Sequence, residues 1–290
     1  MKRILVTGAY GQLGRSLKNC KEEFPSFEFF WTDADTLDIT SESTVNQIIK
    51  NLKPDYLLNC AGYTAVDKAE SEPEQAYLLN GLAPGYLAKA MEKTGGTLVH
   101  ISTDYVFDGL GIEPYRPDHP CQPASRYGIT KLEGERNCLS FSGRSIVIRT
   151  SWLYSEFGQN FVKTMLRISA ERETIRVVAD QTGRPTYAGD MARALLYMLS
   201  HPAFPMAPRI LHYANAGITT WHAFATEVIN LAGRRCTVEA IPTSEYPTPA
   251  ARPAYSVLDT ALTEEVFGLQ IPHWQSSLPD CIQTLLMQAG

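Results

Sequence analysis

The fold of this chain is decided by its N-terminal stretch Ile4-Leu5-Val6-Thr7-Gly8-Ala9-Tyr10-Gly11-Gln12-Leu13-Gly14. An apolar run of strand type leads into a turn with glycines at positions 8, 11 and 14, and an amphipathic run follows to about Glu23. Such a turn lets a pyrophosphate lie close to the backbone and points the free N–H groups of a helix at the phosphates. The stretch therefore predicts a dinucleotide-binding site at the start of a Rossmann-like sheet.

Segments of strand type and of helical type alternate along the following residues. We predict strands at 27–31, 56–60, 97–101 and 145–149, with helices at 41–52 and 74–93 between them. Further along, we predict helices at 160–172, 187–200, 220–232 and 275–288 and strands at 175–178 and 211–213. This alternation is typical of an α/β fold with a doubly wound parallel sheet. We expect a dinucleotide-binding Rossmann domain at 1–152 and a smaller C-terminal domain, mainly substrate-binding, at 153–290. Part of the second domain, about 187–215, should pack back on the first.

The composition of the 290 residues narrows the class of protein. Hydrophobic residues make up 44% and charged residues 20%, which is ordinary for a globular protein. The net charge of -5 argues against nucleic-acid binding, and no apolar run approaches the roughly 18 residues of a membrane span. The N-terminus does not read as a signal peptide. Six scattered cysteines and six scattered histidines show no metal-ligand spacing, so we expect reduced thiols, a cytoplasmic location and no metal ligands.

Asp33 is the candidate for contact with the adenosine ribose. It lies 25 residues after Gly8, where a carboxylate would accept the ribose 2′-OH. A carboxylate there repels a 2′-phosphate, so Asp33 taken alone favours NADH over NADPH. The alternative is a solvated loop aspartate.

A tyrosine and a lysine stand four residues apart in the stretch Ser125-Arg126-Tyr127-Gly128-Ile129-Thr130-Lys131. On a helix they share one face, and a nearby ammonium lowers the pKa of a phenol. Tyr127 could then exchange a proton with a substrate oxygen. Thr103, just beyond the fourth strand, is a candidate partner for a substrate carbonyl. Each of these residues in isolation also has an ordinary structural interpretation.

Two further stretches should line the same crevice at the carboxyl ends of the strands. The first, 61–70, is rich in small residues, which would let a cofactor lie against the backbone; the alternative is a plain strand-to-helix loop. The second follows the fifth strand and carries Trp152 and Tyr154, two aromatics that could cover a planar ring or a sugar. Aromatics are also common in cores.

Taken together, these motifs resemble the extended short-chain dehydrogenases/reductases, and more closely the dTDP-4-dehydrorhamnose reductase family. The subfamily resemblance is carried by the blocks YTAVDKAE (63–70), STDYVFDG (102–109), RTSW (149–152), NFVKTM (160–165) and DQTGRPT (180–186), and by Arg252-Pro253 with Ser256 and Leu258-Asp259. It covers nearly the whole chain.

The resemblance implies reduction of the 4-keto group of dTDP-4-dehydro-L-rhamnose to dTDP-L-rhamnose, with NADPH or NADH as the hydride donor. Thr103, Tyr127 and Lys131 would be catalytic, with Lys131 lowering the pKa of Tyr127 and holding the nicotinamide ribose. Tyr127 and Lys131 would thus also be cofactor-binding. The other cofactor-binding positions would be Gly8, Gly11, Gln12, Leu13, Gly14, Asp33, Asp38, Ile39, Gly62, Tyr63 and Thr64. The substrate would contact Thr103, Asp104, Tyr105, Trp152 and, at its diphosphate, Arg252.

Other functions and assemblies are also compatible with the sequence. The chain could reduce another dTDP-4-keto-6-deoxyhexose, form the other C4 epimer, or be a non-catalytic regulatory subunit on the same fold. It could be a monomer or a homodimer. Some relatives dimerise around Mg²⁺ through acidic side chains, one of them directly after the third glycine. Arg15 stands at that position here, and a basic side chain is a poor metal ligand, so we do not expect this Mg²⁺ bridge.

Overall fold

A six-stranded parallel sheet forms the centre of the computed structural model, which describes residues 1–289. Its strands are β1 Lys2–Thr7, β2 Phe27–Trp31, β3 Tyr56–Asn59, β4 Thr97–Thr103, β5 Ile146–Thr150 and β10 Ile210–His212. The strand order is β10-β5-β4-β3-β1-β2, and each neighbouring pair is parallel. The predicted doubly wound α/β fold is confirmed.

Helices cover both faces of the sheet and build the C-terminal part. They are α1 Gln12–Cys20, α2 Glu42–Leu52, α3 Pro73–Tyr77, α4 Ala83–Thr94, α5 Arg126–Phe141, α6 Phe161–Glu171, α7 Ala188–Ser200, α8 Trp221–Leu231, α9 Ala261–Phe267 and α10 Trp274–Ala289. In residues 1–289, no helix combines the length and the apolar character needed to cross a membrane.

The alternation of side chains along the strands divides the core into two layers. In β1, Leu5 faces the layer that α2 and α4 cover, whereas Ile4 and Val6 face the layer with α1 and α7. All three side chains are fully buried. Both faces of the sheet are therefore covered, which explains why the strands are continuous apolar runs.

The C-terminal part has a separate hydrophobic cluster. It joins α6, α8 and α10 to β7 Thr174–Val178, which pairs in parallel with β12 Thr237–Ile241. Two further two-stranded sheets are short: β6 Leu153–Tyr154 pairs in parallel with β9 Thr186–Tyr187, and β8 Thr182–Gly183 pairs antiparallel with β11 Thr219–Thr220. The segment from α7 to β10 lies instead against α1 and the central sheet. The division into two domains at about residue 152 stays a prediction.

Most of the predicted elements are present, with three differences. The predicted helix at 74–93 is interrupted by a π-helical turn at Leu78–Leu82. Strand β12 and helix α9 were not predicted. Tyr154 does not cover the crevice: it is 1% exposed and lies in the C-terminal cluster between Tyr187 and Phe224, so that prediction was wrong.

The glycine-rich turn requires glycine at two of its three positions. Gly8 has φ +67°, and a Cβ on it would lie 2.7 Å from the Ala61 nitrogen. A Cβ on Gly14 would lie 2.3 Å from the Gly8 oxygen. A Cβ on Gly11 would meet only the Gly8 oxygen, at 3.3 Å. Gly8 and Gly14 are thus required because a side chain at either position would clash with packed backbone. Gly11 has more room and leaves its backbone accessible.

We expect Gly14→Ala to lower the free energy of unfolding by about 2 kcal/mol or more, because the clashing atoms are backbone and cannot turn aside. Urea unfolding measures the effect. Gly143→Ala is the matched control, since a Cβ there meets nothing within 4 Å, and it should change stability by less than about 0.5 kcal/mol. Equal unfolding midpoints for the two variants would contradict this account of the turn.

Candidate active site

The three predicted catalytic residues lie at the carboxyl end of the sheet. Thr103 is the last residue of β4, and Tyr127 and Lys131 lie on the first turns of α5. The Oγ of Ser125 caps this helix by accepting the N–H of Gly128 at 3.2 Å. The ring of Tyr105 packs edge-on against that of Tyr127, with centroids 5.5 Å apart. The sequence spacing therefore gives the expected placement at one end of the sheet.

The hydroxyl of Thr103 is engaged with its neighbour. It donates to Asp104 Oδ1 at 2.9 Å and accepts the N–H of Tyr105 at 3.2 Å. Burial raises the pKa of Asp104 to about 6, although the Thr103 hydroxyl opposes this shift. The second carboxyl oxygen of Asp104 is buried without a hydrogen-bond partner. An orphaned acceptor at this point is suited to a ligand hydroxyl.

Tyr127 does not have the lowered pKa that the sequence suggested. Withdrawal of the phenol from water raises its pKa to about 12; Thr103 opposes the rise and the charge of Asp104 adds to it. The ammonium of Lys131 instead donates to the carbonyl of Ile101 at 2.6 Å and lies 3.4 Å from His100 Nε2. The expected effect of Lys131 on Tyr127 is therefore wrong for this structure, because the ammonium is held by β4.

Lys131 itself titrates unusually low for a lysine. Burial lowers its pKa to about 8, and the charge of Glu135, one helical turn further on, opposes the shift. Glu135 is fully buried and is held by Ser102 Oγ at 2.5 Å and by the guanidinium of Arg149 at 2.7 Å. A buried ion pair thus joins the predicted catalytic helix to Arg149 on β5.

Asn80 is a site residue that sequence reasoning missed. Its amide oxygen accepts the N–H of Tyr63 at 2.8 Å, and its nitrogen donates to the carbonyl of Tyr63 at 2.9 Å. The same nitrogen lies 3.3 Å from Thr130 Oγ1 on α5. The available sequence signal was a single asparagine within the apolar stretch 78–84, and in the structure it lies in the π-helical turn. Asn80 therefore ties the loop after β3 to the predicted catalytic helix.

The predicted cofactor positions surround the glycine-rich turn. Asp33 accepts the N–H of Tyr10 and that of Ala34, each at 2.8 Å. Gly11 and Thr64 are exposed and Gly62 is half-buried, so the backbone of the glycine-rich turn and of the loop after β3 is open to a ligand in the crevice at the carboxyl ends of the strands, which we call the cleft. A Cβ on Gly62 would lie 3.0 Å from Asn80 Oδ1 and 4.0 Å from Lys131 Nζ. This cradle fits the pyrophosphate and ribose of a dinucleotide.

The remaining cofactor positions differ in what their side chains can reach. The side chains of Leu13 and Ile39 are buried in the core, which leaves only their backbone for a ligand. Asp38 is exposed, and hydrogen bonds from Thr40 hold its pKa below the ordinary value. Gln12 points its amide oxygen at Ser155 and Asn160, with contacts of 3.0 and 2.9 Å. Gln12 thus joins the turn to the C-terminal part.

The predicted substrate residues come from the segments that follow β4 and β5 and from the C-terminal part of the chain. Trp152 has φ +46° and stacks on Trp221 with ring centroids 3.5 Å apart. Arg252 donates to Asp67 Oδ2 at 2.7 Å, and the Ala250 N–H reaches the other oxygen of Asp67 at 3.2 Å. The C-terminal segment is thereby attached to the loop that follows β3.

Residues 1–289 contain no group of three histidine, cysteine or acidic side chains able to hold a metal ion. The guanidinium of Arg15 lies 4.5 Å from the ring centroid of Phe157. All six cysteines are free.

Comparison with known proteins decides the family. The family described as the RmlD substrate binding domain matches residues 1–287. This chain belongs to that family. The dTDP-4-dehydrorhamnose reductase of Aggregatibacter actinomycetemcomitans is 40% identical over 286 residues, covering 96% of this chain and 97% of that protein. A probable dTDP-4,6-dihydroxy-2-methyloxan-3-one 4-ketoreductase of Streptomyces antibioticus is 40% identical over 293 residues, covering 98% and 96%.

A solved member of the family has the same architecture. The crystal structure of dTDP-4-dehydrorhamnose reductase from Bacillus anthracis, in complex with NADP, is 36% identical and gives a TM-score of 0.90. The similarity covers 98% of this chain and 99% of that one. The family suggested by the sequence motifs is thus confirmed over the full length.

Asp104→Asn should change how stability depends on pH. The folded pKa of Asp104 lies near 6, above the ordinary 3.8, so the folded wild type binds more protons between these values and loses stability as pH rises through them. Between pH 4 and pH 7 the variant should therefore gain about 2–3 kcal/mol relative to wild type. Chemical denaturation at each pH measures the difference.

Asp38→Asn is the control of opposite sign, because the pKa of Asp38 is lowered in the folded protein. Relative to wild type, that variant should lose stability as pH rises. A pH-independent difference for Asp104→Asn would show that the carboxyl is not desolvated.

Proposed function

We propose that this chain reduces the 4-keto group of dTDP-4-dehydro-L-rhamnose to dTDP-L-rhamnose with NADPH or NADH, in the synthesis of dTDP-rhamnose for cell-surface polysaccharides. The observation that carries the proposal is the joint presence of Thr103, Tyr127 and Lys131 at the carboxyl end of a full-length RmlD-type fold. A non-catalytic subunit on this fold would not need all three residues. A nicotinamide bound in the cleft would supply the hydride for C4 of the sugar.

Tyr127 is the proton donor to the oxygen that becomes the product hydroxyl. Its pKa of about 12 keeps the phenol protonated at neutral pH, which suits an acid that must protonate a developing alkoxide. The hydroxyl of Thr103 can assist at the same oxygen once it leaves Asp104. Lys131 holds the nicotinamide ribose, a role supported by the 4.0 Å between its Nζ and a Cβ built on Gly62, another proposed cofactor position.

The choice between NADPH and NADH rests on the surroundings of Asp33. Both of its oxygens accept backbone N–H groups beside the glycine-rich turn, so part of its charge is already compensated. A carboxylate used in this way repels a 2′-phosphate less than a free one. The Bacillus anthracis relative was crystallised with NADP, and we propose that both nicotinamides serve here.

The sugar nucleotide lies across the remaining site residues. Trp152 lines the sugar, Tyr105 and the free oxygen of Asp104 contact its hydroxyls, and Arg252 binds the diphosphate, because a guanidinium matches phosphate oxygens bidentately. We further propose that residues 1–152 form the dinucleotide domain and the following residues mainly the substrate domain. The cytoplasmic location stays a prediction, and so does the assembly of the protein as a monomer or a homodimer.

A second candidate substrate is another dTDP-4-keto-6-deoxyhexose. It is favoured by the Streptomyces antibioticus relative, which is as similar to this chain as the Aggregatibacter reductase is. Both substrates would present the same carbonyl to Tyr127, so only the sugar pocket distinguishes them. Product analysis with both keto sugars, including the configuration at C4, separates the two.

Tyr127→Phe should lower kcat about 10²- to 10⁴-fold while dinucleotide affinity stays within about threefold of wild type, because only the proton donor is lost. NAD(P)H oxidation with the dTDP-keto sugar measures the rate, and fluorescence titration measures binding. Tyr197→Phe, on the exposed side of α7, should retain full activity. Equal rates for Tyr127→Phe and wild type would remove the proton-donor assignment.

Arg252→Ala should raise KM for the sugar nucleotide about tenfold or more and leave kcat within about threefold, because the diphosphate is remote from the reacting carbon. Steady-state kinetics separate the two constants. Arg235→Ala removes an equal charge from an exposed position and serves as control. A fall in kcat with unchanged KM would show that Arg252 acts through its contact with Asp67 instead.

A further inference from the structure

A row of four buried polar side chains crosses the sheet from the glycine-rich turn to Lys131. Thr7, Asn59 and His100 stand next to one another in register on β1, β3 and β4. Thr7 Oγ1 lies 2.7 Å from Asn59 Oδ1, Asn59 Nδ2 lies 2.9 Å from His100 Nδ1, and His100 Nε2 lies 3.4 Å from Lys131 Nζ. All four residues are at most 5% exposed. Apart from the hydrogen bond from Lys131 to the Ile101 carbonyl, the polar hydrogens of these side chains are therefore paired mainly within the row.

The hydrogens can be assigned from donor and acceptor rules. The amide nitrogen of Asn59 is only a donor, so His100 Nδ1 must accept and the ring must carry its hydrogen on Nε2. That hydrogen faces the nitrogen of Lys131. An ammonium has no lone pair with which to accept it, whereas a neutral amine does. This arrangement thus belongs to the deprotonated lysine.

The reverse arrangement suits the charged lysine. If the Asn59 amide turns by 180°, its oxygen accepts from His100 Nδ1–H and its nitrogen donates to Thr7 Oγ1, which as a hydroxyl can also accept. The Nε2 lone pair then accepts from the Lys131 ammonium. The row therefore has two self-consistent hydrogen-bond arrangements with opposite directions of donation, one for each protonation state of Lys131.

We propose that His100 is a positioning residue that acts through Lys131, its neutral ring changing tautomer as Lys131 gains or loses a proton while Asn59 and Thr7 complete the hydrogen bonds of each state. Its kinetic consequence rests on the reductase function proposed above, whereas the tautomer change does not. The row also links the proton of Lys131 to the residue directly before Gly8, at the foot of the cofactor turn.

The groups around Lys131 and His100 are compatible with this equilibrium. Lys131 faces the Ile101 carbonyl and His100 on β4, Cys60 after β3, and Glu135 and Cys138 on α5. Burial raises the pKa of both thiols, that of Cys60 to about 12, so they stay neutral. Glu135 is the carboxylate whose charge favours the ammonium. Burial, and then the charge of Lys131, lower the pKa of His100 well below its ordinary value, so the imidazole is neutral.

The first test is ¹⁵N NMR of the histidine ring nitrogens in the cofactor-free protein between pH 6 and pH 10. We expect the His100 hydrogen on Nδ1 below about pH 8 and on Nε2 above it, the midpoint following the pKa of Lys131. In Lys131→Met this transition should disappear. One unchanging tautomer across the range in wild type, or an imidazolium at pH 7, would overturn the proposal.

The second test compares the pH dependence of kcat in wild type, His100→Leu, His100→Gln and the control His201→Gln, whose ring lies at the end of α7. Leucine removes the acceptor for the ammonium, so the alkaline limb should move down by about one pH unit. Glutamine restores an acceptor oxygen and should leave the limb within about half a unit.

Thermal unfolding of each variant checks that the chain is folded in the range used. An unmoved limb in folded His100→Leu would overturn the positioning role. If no keto sugar is reduced at all, the proposed function fails, and the ring shifts still decide the tautomer change.

Discussion

The buried ammonium of Lys131 is the constraint on which the rest of the site depends. A charge withdrawn from water must be compensated by dipoles or by an opposite charge, or it is lost. Here the carbonyl of Ile101 accepts from it, the ring of His100 lies 3.4 Å away, and the charge of Glu135, one helical turn further on, favours the ammonium. These partners lie on β4 and α5. Compensation of the buried Lys131 charge therefore fixes the helix against the strand.

The same packing determines the character of Tyr127. Because Lys131 is held by the strand, the phenol is left with a desolvated environment and the nearby carboxyl of Asp104, and both raise its pKa. Tyr127 is therefore a protonated phenol at neutral pH and not a phenolate. In a reduction this is the useful state, since the proton must be present when charge develops on the substrate oxygen. Cofactor and substrate would alter this environment by bringing their own hydroxyls and charge into the cleft.

Much of the fold followed from local patterns in the sequence. The glycine spacing predicts the turn because Gly8 and Gly14 have no room for a Cβ, and the apolar runs predict strands because both faces of a parallel sheet are buried. Local pattern could not separate Tyr154, which lies in a core, from Trp152, since both follow β5 and only tertiary packing decides their direction. It also missed β12, because an exposed edge strand carries little apolar signal.

Residue type and spacing predicted the site residues, but they did not predict the pKa shifts of Tyr127 and Lys131. Spacing on a helix shows that Tyr127 and Lys131 share a face, but it does not show which acceptors a neighbouring strand offers. His100, Asn59 and Asn80 are contributed by three separate segments and meet only in the folded chain. A polar residue inside an apolar strand or helix is the one sign of such partners in the sequence. Because a buried polar group must find a hydrogen-bond partner, each of these residues indicates a contact across the fold before the fold is known.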